Sequence, residues 1–133
     1  MLNKIFGNAS SWGPISLRLT VGAIFIAHGA QKLFGAFGGT GLKGFAGIMS
    51  QMGLKPAMAW AILVGVVEFA GGIFLVLGIM TRLSALLIGI VMVVAILGVH
   101  LKAGFFGFEF PLVLLGACIS LLLTGGGRAV IKE

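Results

Sequence analysis

The chain of 133 residues holds only three acidic side chains, Glu68, Glu109 and Glu133, and Glu68 stands in the middle of an apolar run from Pro56 to Met80. A carboxyl placed there must stay protonated or meet a cationic or hydrogen-bonding partner, because an isolated charge in hydrocarbon is strongly unfavourable. Three and four residues away lie Gly65, Gly71 and Gly72, which leave that helix face nearly bare, so another helix or a ligand can approach the backbone. Glu68 is expected to face protein. Two roles fit it, a hydrogen-bonding cement for a helix bundle or a site for a proton or ligand.

A second polar set lies on the preceding apolar block. At 100° per residue, Arg18, Gly22, Phe25, His28, Gly29 and Lys32 fall within an arc of roughly 120°. Arg18 and Lys32 are near enough to the ends of that helix to extend their charges to the interface, whereas His28 is not. By the helical rise, His28 lies about 8 Å and Glu68 about 15 Å inside one membrane boundary, with His100 and Glu109 close to that boundary. These groups are expected to converge on one half of the bundle. In the last apolar block Glu109 shares a face with Gly116 and Ser120. That pattern fits either an inward-pointing carboxylate, with Pro111 opening the helix, or an ordinary Glu stabilised by the helix dipole. A carboxyl and an imidazole are suited to proton transfer near neutral pH. Two histidines on different spans also fit haem ligation, a reading disfavoured because Phe and Leu fill so small an interior. A metal would need His28, His100 and a carboxylate to meet.

The elements that position these groups are read from the apolar runs. With 59% hydrophobic and 9% charged residues and a mean hydropathy of +1.21, the chain carries more apolar surface than a small soluble core can hide. The spacing predicts an all-α membrane protein, a four-transmembrane-helix antiparallel bundle forming one membrane domain over residues 1–133. Its spans are expected at about 12–34, 56–80, 83–101 and 105–124, the last only if 105–109 joins the helix. Thr81-Arg82 is read as the turn between the second and third spans, which makes them antiparallel neighbours. In the first loop, Leu42, Phe45, Ile48, Met49 and Met52 recur at helical intervals and predict a short amphipathic helix, lying on the membrane surface or folded back as a lid.

The formal charge of +6 does not indicate nucleic acid, since Lys and Arg are scattered singly beside apolar blocks, where they anchor helix ends. Cys118 is the only cysteine, so one chain can form neither an internal disulfide nor a thiol redox pair. Lys4 precedes an apolar stretch in the manner of a signal sequence, but Arg18 interrupts it, and the stretch is read as a retained span. Lys4, Arg18, Arg82, Arg128 and Lys132 fall on the side of the termini, against Lys32, Lys43, Lys55 and Lys102 on the other. The expected placement is the cell inner membrane with both termini cytoplasmic.

Arg18, then HGAQKLFGAFGGTGLKG at 28–44, EFAGGIFLVLGIMTRLSA at 68–85, His100 and Glu109 together resemble the DoxX family of small bacterial and archaeal membrane proteins. The resemblance covers nearly the whole chain. It implies a four-span bundle in the inner membrane, in a family named for a subunit of a terminal quinol oxidase related to thiosulfate:quinone oxidoreductase. The family's polar set corresponds here to Arg18, His28, Lys32, Glu68, Arg82, His100 and Glu109. The ending GGGRAVIKE lacks the Ser-Leu-Asp common in the family. The fold also resembles the four-helix core of vitamin K epoxide reductase, whose cysteine pairs are absent here.

The leading expectation is a quinone-linked redox subunit or accessory of an oxidoreductase complex. His28 and Glu68 are its candidate catalytic residues, and Arg18, Lys32, Arg82, His100 and Glu109 its cofactor-binding set. The chain shows no electron carrier of its own, so at most it is one subunit among redox partners or a homo-oligomer. The alternatives are a non-catalytic scaffold whose glycine faces dock other proteins, and a small transporter or proton pathway.

Overall fold

The computed structural model describes residues 12–127 and Val130; Lys4, Arg128, Lys132 and Glu133, with the chain end beyond Gly127 apart from Val130, lie outside the described residues. The described chain is all-helical. Helix α1 spans Gly13–Phe34, α2 Gly41–Gln51, α3 Ala57–Leu77, α4 Thr81–Ala95 and α5 Phe105–Thr124. Beyond Ala95, α4 continues as a wide π-turn over Ile96–His100 and a tight turn over Leu101–Ala103.

Local chemistry sets the boundaries. Pro14 sits in the first turn of α1, and Gly35 ends that helix in a left-handed conformation with its N–H on the Ala30 and Gln31 carbonyls. Helix α3 ends the same way at Gly78, where a residue without Cβ takes the positive φ at no steric cost. The reversal between α3 and α4 falls at Gly78–Met80. Thr81 and Arg82, expected as the turn, form the first turn of α4 instead, and Met80 absorbs the reversal at φ 46°. Pro111 does not open α5, which begins at Phe105 and carries the proline inside it.

Helices α3, α4 with its extension to Ala103, and α5 are each long and apolar enough to cross a membrane. Much of their apolar surface points outward: Leu63 is 51% exposed, Ile90 52% and Val113 67%. Such a surface is stable only against lipid or another apolar partner. The architecture is that of an α-helical membrane protein.

Helix α1 packs along α3, and α4 along α5. The first pairing depends on glycine. A Cβ on Gly72 would fall 2.7 Å from the Gly22 carbonyl oxygen and 2.8 Å from the Ile26 nitrogen, and one on Gly29 would fall 2.6 Å from the Phe69 backbone. The backbones therefore touch, as small residues permit in bundles where lipid supplies no hydrophobic drive. Phe25, Leu75, Ile88 and Leu121 fill the core where the two pairs meet. A smaller cluster seats α2 on α3 through Phe45, Ala46, Met49 and Ala61.

A buried ion pair on an apolar cavity

The contact of α1 with α3 sets Lys32 opposite Glu68. The Glu68 side chain is 1% exposed and that of Lys32 21%; Lys32 Nζ donates to Glu68 Oε1 at 2.8 Å and lies 2.7 Å from Oε2. The ammonium also stands 5.2 Å from the centre of the Phe45 ring on α2, where the face of the ring attracts a cation. In low dielectric the two charges hold each other strongly, and either alone would be costly. Instead of extending to the interface, Lys32 turns inward.

The pair lies on the wall of a cavity of about 800 Å³. Helix α1 contributes Phe25, His28, Gln31 and Lys32, the loop Gly38–Thr40 and α2 form a cover, and α3, α4 and α5 supply mainly Trp, Leu, Ile, Val and Met. An apolar chamber of this size with a few polar groups on one wall has the usual form of a small-molecule site. His28 Nδ1 is 2.8 Å from the Ile24 carbonyl oxygen. A carbonyl only accepts, so Nδ1 carries the proton in this bond, and in the neutral form of the ring Nε2 is the acceptor. The ring sits between Phe25 and Phe110, at centroid distances of 6.2 and 6.1 Å. His100 reaches the same cavity from the π-turn of α4. π-Turns often mark functional positions.

Of the residues singled out in the sequence, the cavity thus gathers His28, Lys32, Glu68 and His100. Arg18, Arg82 and Glu109 are not on it. Fourteen residues before Lys32, Arg18 lies about 21 Å away along α1 by the helical rise. It is 2% exposed and bonds through Nε to the Leu75 carbonyl at 3.0 Å, through Nη1 to Gly126 at 2.9 Å and through Nη2 to Val76 at 3.3 Å. Leu75 and Val76 belong to the last turn of α3, where carbonyls lack helical partners and the dipole is negative. Arg18 therefore stands away from this cavity and does not extend to the interface; it ties the end of α3 to the segment after α5.

Arg82, exposed, lies against Gly125 at that same end. Glu109 is exposed as well. Of its two readings, the inward one does not fit the phase of α5, which buries Pro111, Leu114, Cys118 and Leu121 and so places Glu109 and Gly116 outside. Among the described residues no three of His, Cys, Asp and Glu meet as metal ligands.

Sequence reasoning missed Gln31, which lines the cavity and donates from Nε2 to the Phe37 carbonyl at 3.4 Å. The signal was an uncharged polar residue beside Lys32 in an apolar span. It also missed Trp60 on the cavity wall, which looks like an ordinary interfacial residue.

Residues 13–101 match the DoxX family. "Putative oxidoreductase CatD" of Bacillus subtilis strain 168 is 35% identical over 114 residues, 85% of this chain and 79% of that protein. "Uncharacterized membrane protein Rv3486" of Mycobacterium tuberculosis is 35% identical over 130 residues, 86% of this chain and 76% of that protein. No solved structure matches the chain.

Proposed function

The chain belongs to the DoxX family, and on that premise we propose that it is a four-span, quinone-binding subunit of a membrane oxidoreductase. One observation carries the reading: a buried Lys–Glu pair on the wall of an apolar cavity of about 800 Å³, in a bundle built for lipid. The name of the Bacillus relative supports the redox class. Helix α1 is the fourth span in this reading. It carries Arg18 and Lys32, but the first is held by three backbone carbonyls and the second by Glu68, so neither charge faces hydrocarbon alone. In this reading the end of the bundle that holds Arg18 and Arg82 faces the cytoplasm, as basic residues at helix ends favour.

The donor set fits a quinone. Lys32 offers N–H groups to a ring carbonyl, Glu68 exchanges a proton with Lys32 or with the ring oxygen, and His28 Nε2 accepts from a ring hydroxyl. A quinone bound there takes up two electrons and two protons when reduced. Lys32 and Glu68 would orient the head and exchange one of those two protons with it, and His28 Nε2 the other, while Phe, Leu and Val line the rest of the cavity. Electrons come from a partner subunit in this reading. The scaffold reading is less well supported, because Gly22, Gly29, Gly65, Gly71 and Gly72 are occupied by the chain's own helices and leave no glycine face there for another protein.

The test is purification in mild detergent followed by mass spectrometry of extracted lipids and identification of co-purifying proteins. Stoichiometric quinone, lost in Glu68→Gln while the protein still inserts, supports the proposal. A stoichiometric partner with no quinone in either protein favours a scaffold.

A further inference from the structure

The cavity is not closed on the side between α3 and α4. Near their connecting turn the two helices touch, where a Cβ on Gly71 would fall 2.9 Å from Ile88 Cδ1. At the other end Met52, just beyond α2, reaches across to Gly98 in the π-turn, where a glycine leaves room for its methyl group. Between these two contacts α3 presents Trp60, Leu63 and Val67 and α4 presents Leu87, Ile90 and Val94, all of them cavity-lining. Leu63, Leu87, Ile90 and Val94 are at the same time 40–52% exposed. Ile90 also lines an outer groove with Leu86, Val93 and Leu115, so this wall of the cavity is at the same time part of the outer surface of the bundle. Both helices are apolar enough to cross a membrane, so this surface faces lipid.

We infer that this gap is a lateral window: an uncharged amphiphile with a long apolar tail reaches the cavity from the bilayer, its tail lying between α3 and α4 and its polar head at Lys32 and Glu68. The head must be neutral, because the pair carries one positive and one negative charge and a phosphate would meet Glu68 as well as Lys32. The tail must be apolar, because every window residue is. Elsewhere α2 and Gly38–Thr40 cover the cavity, which favours the route through lipid. The inference rests on the cavity being the quinone site proposed above.

The experiment uses the full chain in nanodiscs and two probes, a benzoquinone without a side chain and the same ring with a long isoprenoid tail. Binding is read as quenching of Trp60, taken as the difference from a Trp60→Phe protein. Leu63→Phe and Val94→Phe narrow the window from opposite walls and are tested separately, so failure of one to insert leaves the other. Val66→Phe, on the exposed face of α3 outside the window, is the control. The expected result is about tenfold weaker binding of the tailed probe in each window variant, with the tailless probe and the Val66→Phe protein unchanged. Full retention of the tailed probe, or equal loss of both probes, overturns the window. Quenching by a brominated phosphatidylcholine as strong as by the tailed ring assigns the gap to bilayer lipid and overturns the proposed occupant. If the wild-type chain binds neither probe, the reading of the cavity as a quinone site fails first, and the window with it.

Discussion

Lys32 on α1 and Glu68 on α3 face each other with unequal access to solvent: Glu68 is 1% exposed and Lys32 21%. Removal of either partner strands the other, but not equally. A lysine left alone can partly rehydrate, whereas a carboxylate left alone cannot. Lys32→Met is therefore expected to destabilise the protein by about 3–5 kcal/mol and Glu68→Gln by about 1–3 kcal/mol, while Lys32→Met combined with Glu68→Gln recovers much of the Lys32→Met loss. Thermal unfolding of the detergent-solubilised proteins measures all three. Additive losses in the double variant would show that the pair is not coupled.

The glycine contact between α1 and α3 gives a second prediction. Methyl groups at Gly22 or Gly72 would meet backbone at 2.7 Å, and backbone cannot move aside as a side chain can. Gly22→Ala and Gly72→Ala should each cost about 1–3 kcal/mol and shift Lys32 relative to Glu68. Gly116 sits in α5 with nothing within 4 Å of a built Cβ, so Gly116→Ala should be neutral or stabilise by up to about 1 kcal/mol. Equal unfolding temperatures for all three variants would contradict close backbone packing.

Much of this was legible in the sequence because lipid makes apolar runs and their interruptions conspicuous. The buried position of Glu68, the glycines around it and the basic face of α1 follow from helical spacing alone. What spacing could not show is which partner each charge takes. Arg18 and Lys32 look equivalent, each near an end of one helix, yet one finds three carbonyls and the other a carboxylate. That difference is decided by α3, which brings its C-terminal turn to Arg18 and its middle to Lys32. The orientation of Glu109 stayed open for a related reason. Gly116 and Ser120, small residues on its face, suit an inward reading, whereas α5 buries Leu114, Cys118 and Leu121.

Arg18 should separate stability from binding. Its three hydrogen bonds to carbonyls are charge-assisted, each worth about 1.5–3 kcal/mol, and the group lies about 21 Å along α1 from Lys32 by the helical rise. Arg18→Met leaves three carbonyls without this donor and is expected to lower the unfolding temperature sharply. Arg18→Lys keeps the charge but lacks the planar fork that reaches several acceptors at once, so it should recover only part of the loss. Ligand affinity of the folded fraction should not change in either variant. A selective fall in affinity would put Arg18 back among the binding residues.

His28 tests the chemistry of the cavity. The Nδ1–H bond to the Ile24 carbonyl fixes the tautomer and leaves Nε2 as the ring's acceptor, between Phe25 and Phe110. If that nitrogen accepts a proton during turnover, His28→Leu removes a general base and should lower kcat by about 10²–10⁴. KM should stay nearly constant, since Lys32 and Glu68 still hold the head. His28→Gln can still accept a hydrogen bond but not a proton, so it should match His28→Leu in kcat. Steady-state kinetics of the reconstituted complex, with quinone varied, distinguish the cases. Recovery of kcat in His28→Gln would make His28 a positioning residue, and a rise in KM with kcat unchanged would confine it to binding.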